Sequence, residues 1–211
     1  MSRFHKPATT PSVAYESGLL DNEGLLEALR RGDRAAIGAL YDQFQPLVER
    51  TLVRIVGAEP ELPDLVHETF LSAMRTIASV RDPKALPAWV MRIAVRKAAD
   101  WLRRNRRRRW LMPINLPPDR PPVRTEMDTD GAEAVRETYR LLADLPVDER
   151  IAFSLRFIDG RELTDVAAAC HCSLATIKRR LSRAETRFVK LARQSAVLRE
   201  WVDEGQRWRR P

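Results

Sequence analysis

Ile177, Leu181, Ala184, Phe188 and Leu191 recur at alternating steps of four and three, which lays them along one side of an α-helix. Thr176, Lys178, Arg179, Arg180, Arg183 and Arg187 fall largely off that stripe, so the helix is apolar on one side and cationic on the other. Ser173 stands where an N-cap is wanted. Upstream, the pattern predicts a shorter helix over Asp165–Ala169, capped by Thr164, with Val166 and Ala167 small enough to pack tightly. Cys170-His171-Cys172 interrupts the two. Two short helices joined by a tight turn, the second buried on one side and polycationic on the other, describe a helix-turn-helix.

The remaining chain carries the same helical period. Residues 1–20 are short of large aliphatic side chains and predict a disordered leader. Asp21 or Asn22 caps a helix with Leu25, Leu26 and Leu29 on one face, ending at Gly32. Asp33 starts a longer helix whose stripe runs Ile37, Leu40, Tyr41, Phe44, Leu47, Val48, Leu52 and Ile55, with Pro46 as a candidate kink and Gly57 as its end. Pro63 suits the start of a third helix over Asp64–Ser79, with Val66, Phe70, Met74 and Ile77 as core, and Leu65, Thr69, Ser72 and Thr76 on another line. Val80–Ala85 reads as a loop. Pro87 then opens a helix from Ala88 to about Arg109, with Val90, Ile93, Ala94, Ala98, Trp101 and Leu102 available for the core. Residues 111–131 hold Pro113, Pro117, Pro118, Pro121 and Pro122, an extended and semi-rigid spacer. Helices resume over Ala134–Leu145 and Val147–Ile158, with a corner at Leu145-Pro146 and a stop at Asp159-Gly160. The expected architecture is all-α: two small helical domains at 21–110 and 132–193, a flexible proline-rich linker, and a tail at 194–211 bearing a short helix and Trp208.

Charge sharpens this picture. Val80–Trp110 holds eleven Arg/Lys against Asp82 and Asp100, a net +9, and Ser173–Arg193 holds seven against Glu185, a net +6. The whole chain is only +8, so two basic surfaces sit on an otherwise acidic body, as a polyanion with two contact sites requires. The six arginines of Arg103–Arg109 exceed what the end of a helix needs for its dipole. No apolar run is long enough to span a membrane, and the N-terminus lacks the apolar core of a signal peptide. Cys170 and Cys172 are too close for an ordinary structural disulfide, so the expected setting is the reducing cytoplasm.

Four segments, between Leu25 and Arg193, together resemble the extracytoplasmic-function sigma factors of bacterial RNA polymerase. Asp64-Leu65-Val66-His67-Glu68-Thr69-Phe70-Leu71 is similar to the family's Asp-Leu-Val-Gln-Glu-x-Phe-Leu. Ala88-Trp89-Val90-Met91-Arg92-Ile93-Ala94, followed by Asp100-Trp101-Leu102-Arg103-Arg104, resembles Ala-Trp-Leu-x-Arg-Ile-Ala and Asp-Tyr-Leu-Arg-Arg. Leu145-Pro146 through Arg150, then Leu155-Arg156-Phe157 and Gly160, make the third. Thr176-Ile177-Lys178-Arg179-Arg180-Leu181-Ser182-Arg183-Ala184 is like Thr-Val-Lys-Ser-Arg-Leu-His-Arg-Ala. Their order and spacing, with the proline-rich separator, make the resemblance specific.

The resemblance implies that the first domain docks on the clamp helices of the largest polymerase subunit through Asp64, His67, Glu68 and Leu71. It also implies that this domain opens the −10 element with Arg81, Lys84, Trp89, Arg92, Arg96, Arg103, Arg104 and Arg107. The second domain would sit by the flap of the other large subunit and read the −35 element with Ser173, Thr176, Lys178, Arg179, Arg180, Arg183 and Arg187. An anti-sigma factor wedged between the domains is a further implied partner. The chain departs from the family pattern at His171, usually Gly, at His67, usually Gln, and at Val95-Arg96-Lys97, commonly Arg-Asn-Leu. A stand-alone helix-turn-helix regulator would explain Arg161–Phe188 but leave Asp64–Ser79 and Trp89–Arg104 without a role. An enzyme lacks its parts: no Gly-rich phosphate loop and no Ser/His/Asp set appears. Cys170, His171 and Cys172 fall short of a four-ligand zinc site, with His5 and His67 distant, so no metal or other cofactor is expected.

Overall fold

The computed structural model describes residues 21–111 and 129–203, and all regular structure among them is helical. The expected leader, most of the spacer and the end of the tail, Trp208 included, lie outside the described residues. Asp21 caps α1 (Asn22–Arg30) through Gly24 N–H, and Asp33 caps α2 (Arg34–Val56) through Ala35 N–H. Each satisfies one of the orphan donors of a first helical turn. Pro46 lies inside α2 without ending it. Gly57 ends it at φ +92°, a left-handed value that a residue with a Cβ adopts at a cost. A Cβ added there would also come within 3.1 Å of the Tyr139 ring. Gly57→Ala is therefore expected to lose about 1–3 kcal/mol, read as a lower urea midpoint at unchanged slope.

Several elements differ from the sequence pattern for identifiable reasons. Helix α3 runs Leu62–Thr76, so Pro63 occupies its second position, and a short 3₁₀ turn, Ile77–Ser79, completes it. Its buried face is Leu65, Val66, Thr69, Phe70 and Ala73, whereas Met74 and Ile77 are only half-buried. Thr69 joins this face because its hydroxyl donates to Leu65 O at 2.8 Å, leaving no polar hydrogen unpaired. The expected loop before α4 contains a 3₁₀ turn, Pro83–Ala85, capped by Asp82. Helix α4 (Leu86–Leu111) begins before Pro87 and is buried on more sides than one stripe provides: Trp89, Met91, Val95 and Ala99 join Val90, Ala94, Ala98, Trp101 and Leu102. A second layer on α4 is the cause.

That layer is the C-terminal unit: α5 (Thr129–Leu142), α6 (Val147–Phe153, continued by a wider π-helical turn Ser154–Ile158), α7 (Leu163–Ala169), α8 (Leu174–Ala192) and α9 (Arg199–Asp203). Helix α7 starts two residues early, with Glu162 rather than Thr164 at its cap and no side chain bonding there, which brings Leu163 against the core. His171 sits at φ +51°, the left-handed corner between α7 and α8 that glycine takes most cheaply. Ser173 caps α8 by accepting from Thr176 N–H, and Ile177, Leu181, Ala184 and Phe188 are its buried stripe, with Leu191 half-buried. One apolar cluster joins α1–α4 to Ile151, Leu155, Val166, Ala169, Ile177 and Leu181. A second, around Phe153, Phe188, Leu142 and Leu198, belongs to the C-terminal unit alone. The two helical units thus share a core across α4.

Candidate nucleic-acid interface

The buried stripe of α8 decides what its other side presents. With Ile177 and Leu181 turned inward, Lys178, Arg179, Arg183 and Arg187 are exposed, and Ser173 and Thr176 lie at the helix start. Ser173 and Thr176 hydroxyls are 2.9 Å apart, and Arg179 Nη2 reaches Thr176 Oγ1 at 3.4 Å, so the first turn is pre-set by its own side chains. Arg187 pairs with Glu149 at 3.4 Å. Arg180 is turned differently: Nη2 donates to Asp148 Oδ2 at 2.8 Å, and Nη1 lies 3.8 Å from Cys172 Sγ.

Asp148 also accepts from Arg103 Nη2, at 3.3 Å, so this one carboxylate joins the cationic side of α8 to that of α4. Between them lies a cleft of about 620 Å³, with Trp89, Arg92, Arg96 and Arg103 on one wall and Cys170, His171 and Arg180 on the other. Arg104 and Arg107 continue the cationic side of α4 beyond the cleft, exposed, and Arg81 and Lys84 are exposed before it. Trp89 is 8% exposed and packs as core, so in this arrangement its ring is not open for stacking. Burial pushes the Cys170 thiol up to about 12, and the neighbouring Cys172 adds to the shift. At pH 8 almost none of it is thiolate. Iodoacetamide at that pH is expected to spare Cys170 in the folded chain and to label it after unfolding, as peptide mass spectrometry would show. Among the described residues no cluster of three or more His, Cys, Asp or Glu could hold a metal ion.

On α3, Asp64 and His67 are exposed, and Glu68 Oε2 meets Lys97 Nζ of α4 at 3.3 Å. Leu71 lies half-buried at the edge of an apolar depression of about 290 Å³, shared with Ile37, Tyr41, His67, Phe70 and Met74. Ile37 and Tyr41, on the expected apolar stripe of α2, are 42% and 43% exposed, and the Tyr41 ring meets that of Phe70 at a tilt of 47° with centroids 4.7 Å apart. Sequence reasoning missed this patch. Its signal was there: eight apolar positions on α2 make a stripe wider than one buried face requires.

A capped, half-buried helix presenting cations after a tight turn, beside a second arginine-lined helix, defines an all-helical DNA-binding protein of two units. Comparison with known proteins narrows the class. The sigma-70 region 2 family matches residues 40–108, and the sigma-70 region 4 family matches residues 136–188. The ECF RNA polymerase sigma-E factor of Escherichia coli strain K12 is 30% identical over 182 residues, covering 78% of this chain and 91% of that protein. The chain belongs to the extracytoplasmic-function sigma factors of the sigma-70 family, which direct core RNA polymerase to promoters and start transcription. Two solved structures share the fold. CnrH, in complex with the cytosolic domain of CnrY, has a TM-score of 0.57 at 22% identity and covers 83% of this chain and 99% of its own. The sigma factor RpoE of Bartonella quintana, in complex with the anti-sigma factor NepR, has a TM-score of 0.52 at 24% identity and covers 72% and 92%. No helix among the described residues is long and apolar enough to cross a membrane.

Proposed function

We propose that the two cationic surfaces divide one promoter between them, and that the face around Asp64 binds core polymerase. Helix α8 enters the major groove at the −35 element. Arg179, Arg180 and Arg183 contact base edges or phosphates, Ser173 and Thr176 lie at the groove end of the helix, and Lys178 and Arg187 meet the backbone. Arg92, Arg96, Arg103, Arg104 and Arg107, with Arg81 and Lys84 in the preceding turn, hold the strands opened at the −10 element. Phosphate contacts carry no sequence information, so most of these set affinity and its salt dependence. Asp64, His67, Glu68 and Leu71 bind the clamp helices of the largest polymerase subunit, joined by Ile37 and Tyr41. The C-terminal unit sits by the flap of the other large subunit. The role is non-enzymatic and is exercised in the cytoplasm, where core polymerase works. The RpoE–NepR complex supports an anti-sigma factor as a further partner of this chain.

The observation that carries this reading is the pairing, in one chain, of a capped recognition helix with cations on its open side and a second arginine-rich helix. In vitro transcription with core polymerase across a promoter library tests it: the full chain should select a subset sharing −35 and −10 sequences. A gel shift without core polymerase should show weak binding. Tight, sequence-selective binding by the chain alone would instead make it a stand-alone regulator.

A further inference from the structure

Helix α4 carries Arg92, Arg96 and Arg103 at steps of four and seven, which sets three guanidinium groups along one side of it. That side is one wall of the cleft of about 620 Å³, and Arg180 stands on the other. Four arginines in this lining face a single carboxylate, Asp148. Asp148 is taken already, by Arg103 at 3.3 Å and by Arg180 at 2.8 Å. Arg92 and Arg96 pair with no group among the described residues, although Arg92 is half-buried. Burial holds the Cys170 thiol neutral, so that wall gains no negative charge from it. Like charges gathered in a cleft repel one another, and an anion held between them relieves the repulsion.

The rest of the lining narrows what that anion carries. Ile93, Val95, Ala99, Ile151 and Ala169 make much of the cleft apolar, which a bare inorganic ion would leave unfilled. Thr76 and Ser79 also line it, and their hydroxyls already donate to Ser72 O and Thr76 O at 2.8 and 2.7 Å. Toward a ligand they can therefore only accept. Guanidinium forks match phosphate oxygens two at a time. A ligand that suits all three has phosphates, an apolar ring and hydroxyls to donate. The volume falls in the range of about 300–1,000 Å³ that is usual for small-molecule sites.

We propose that this cleft binds a nucleoside diphosphate, with its phosphates on Arg92, Arg96 and Arg180 and its base against Ile93 and Ile151. The assignment stands on the cleft alone and not on the promoter role given to Arg92 and Arg96. Both units contribute to the site, since Arg92, Arg96 and Ile93 belong to α4, Ile151 to α6 and Arg180 to α8. The arginines of α4 beyond the cleft, Arg108 among them, are exposed and have no facing wall. They attract anions in general, whereas the cleft selects for size and for an apolar ring.

Isothermal titration of the full chain with ADP, GDP, inorganic pyrophosphate and adenosine tests this, at about 0.15 M salt to screen diffuse attraction. The two nucleotides should bind at a single site, pyrophosphate roughly ten-fold more weakly, and adenosine not measurably. Arg92→Ala, Arg96→Ala and Arg180→Ala should each weaken ADP by roughly ten-fold, the loss of one charge-assisted contact. Arg108→Ala removes the same charge outside the cleft and should leave the affinity unchanged. Arg96 is exposed and unpaired, so Arg96→Ala should keep its helix content by circular dichroism. Should Arg180→Ala lose helix, Arg180→Gln, which keeps a donor for Asp148, takes its place. Absence of binding by both nucleotides would overturn the site. Pyrophosphate binding as tightly as ADP would overturn the nucleotide. An equal loss in Arg108→Ala would reduce the binding to general attraction and remove the cleft from it. Unchanged affinity in the Arg180 variant would leave the anion on α4 alone and sink the two-walled site. Each readout is of binding and not of transcription, so the sigma-factor reading stands or falls separately.

Discussion

Arg183→Ala is expected to lower transcription from a cognate promoter by roughly 10- to 100-fold while leaving assembly with core polymerase unchanged. A well-placed arginine–base contact discriminates by about 1–3 kcal/mol, and each 1.4 kcal/mol is about a factor of ten. Arg183 is exposed on the side of α8 away from Ile177, Leu181, Ala184 and Phe188, so its removal leaves the packing intact. Stability should move by no more than about 0.5 kcal/mol. Arg180→Ala should also reduce transcription, but it removes one of the two arginine partners of Asp148 as well, so Arg183 is the cleaner test. In vitro transcription and a pull-down on core polymerase, run side by side, separate the two roles. If Arg183→Ala instead lost core polymerase in the pull-down, the recognition role given to α8 would be wrong.

The second large effect belongs to the other face. Ile37→Asp should weaken holoenzyme assembly by about 30-fold or more, because an anchor in a desolvated interface is worth about 2 kcal/mol and a carboxylate in its place must be stripped of water. Ile37 is 42% exposed in the free chain, so the charged variant should fold with unchanged helix content. The depression it shares with Tyr41, Phe70, Leu71 and Met74 has little polar lining to hold a carboxylate. Asp64→Ala combined with Glu68→Ala should weaken assembly too, by removing the acidic rim of the same face. Anisotropy titration of labelled chain against core polymerase measures both. Unchanged affinity in Ile37→Asp would remove this face from the polymerase contact.

The helix-turn-helix was legible almost residue by residue. The α8 stripe, the Ser173 cap and the His171 corner all depend on neighbours within a few positions, and local backbone geometry answers to exactly those neighbours. The same holds for the Asp21 and Asp33 caps and for Gly57. Helix α3 was read with its buried face rotated, because Thr69 looks polar until its hydroxyl is seen bonded to Leu65 O. Ile37 and Tyr41 lie on the apolar stripe of α2 yet are exposed, because periodicity marks an apolar position without saying whether anything covers it.

By itself the sequence determined the helices, most of their caps, the two concentrations of positive charge and the class of protein they compose. Only the tertiary structure decided that the C-terminal unit packs on α4. It alone shows Arg150 reaching carbonyls 94 and 95 positions away, and Asp148 held between Arg103 and Arg180. A helical period extends over one turn and repeats, so it fixes which side of each helix is apolar. Which apolar side meets which is settled by packing between residues far apart in the chain, and no local pattern encodes that choice.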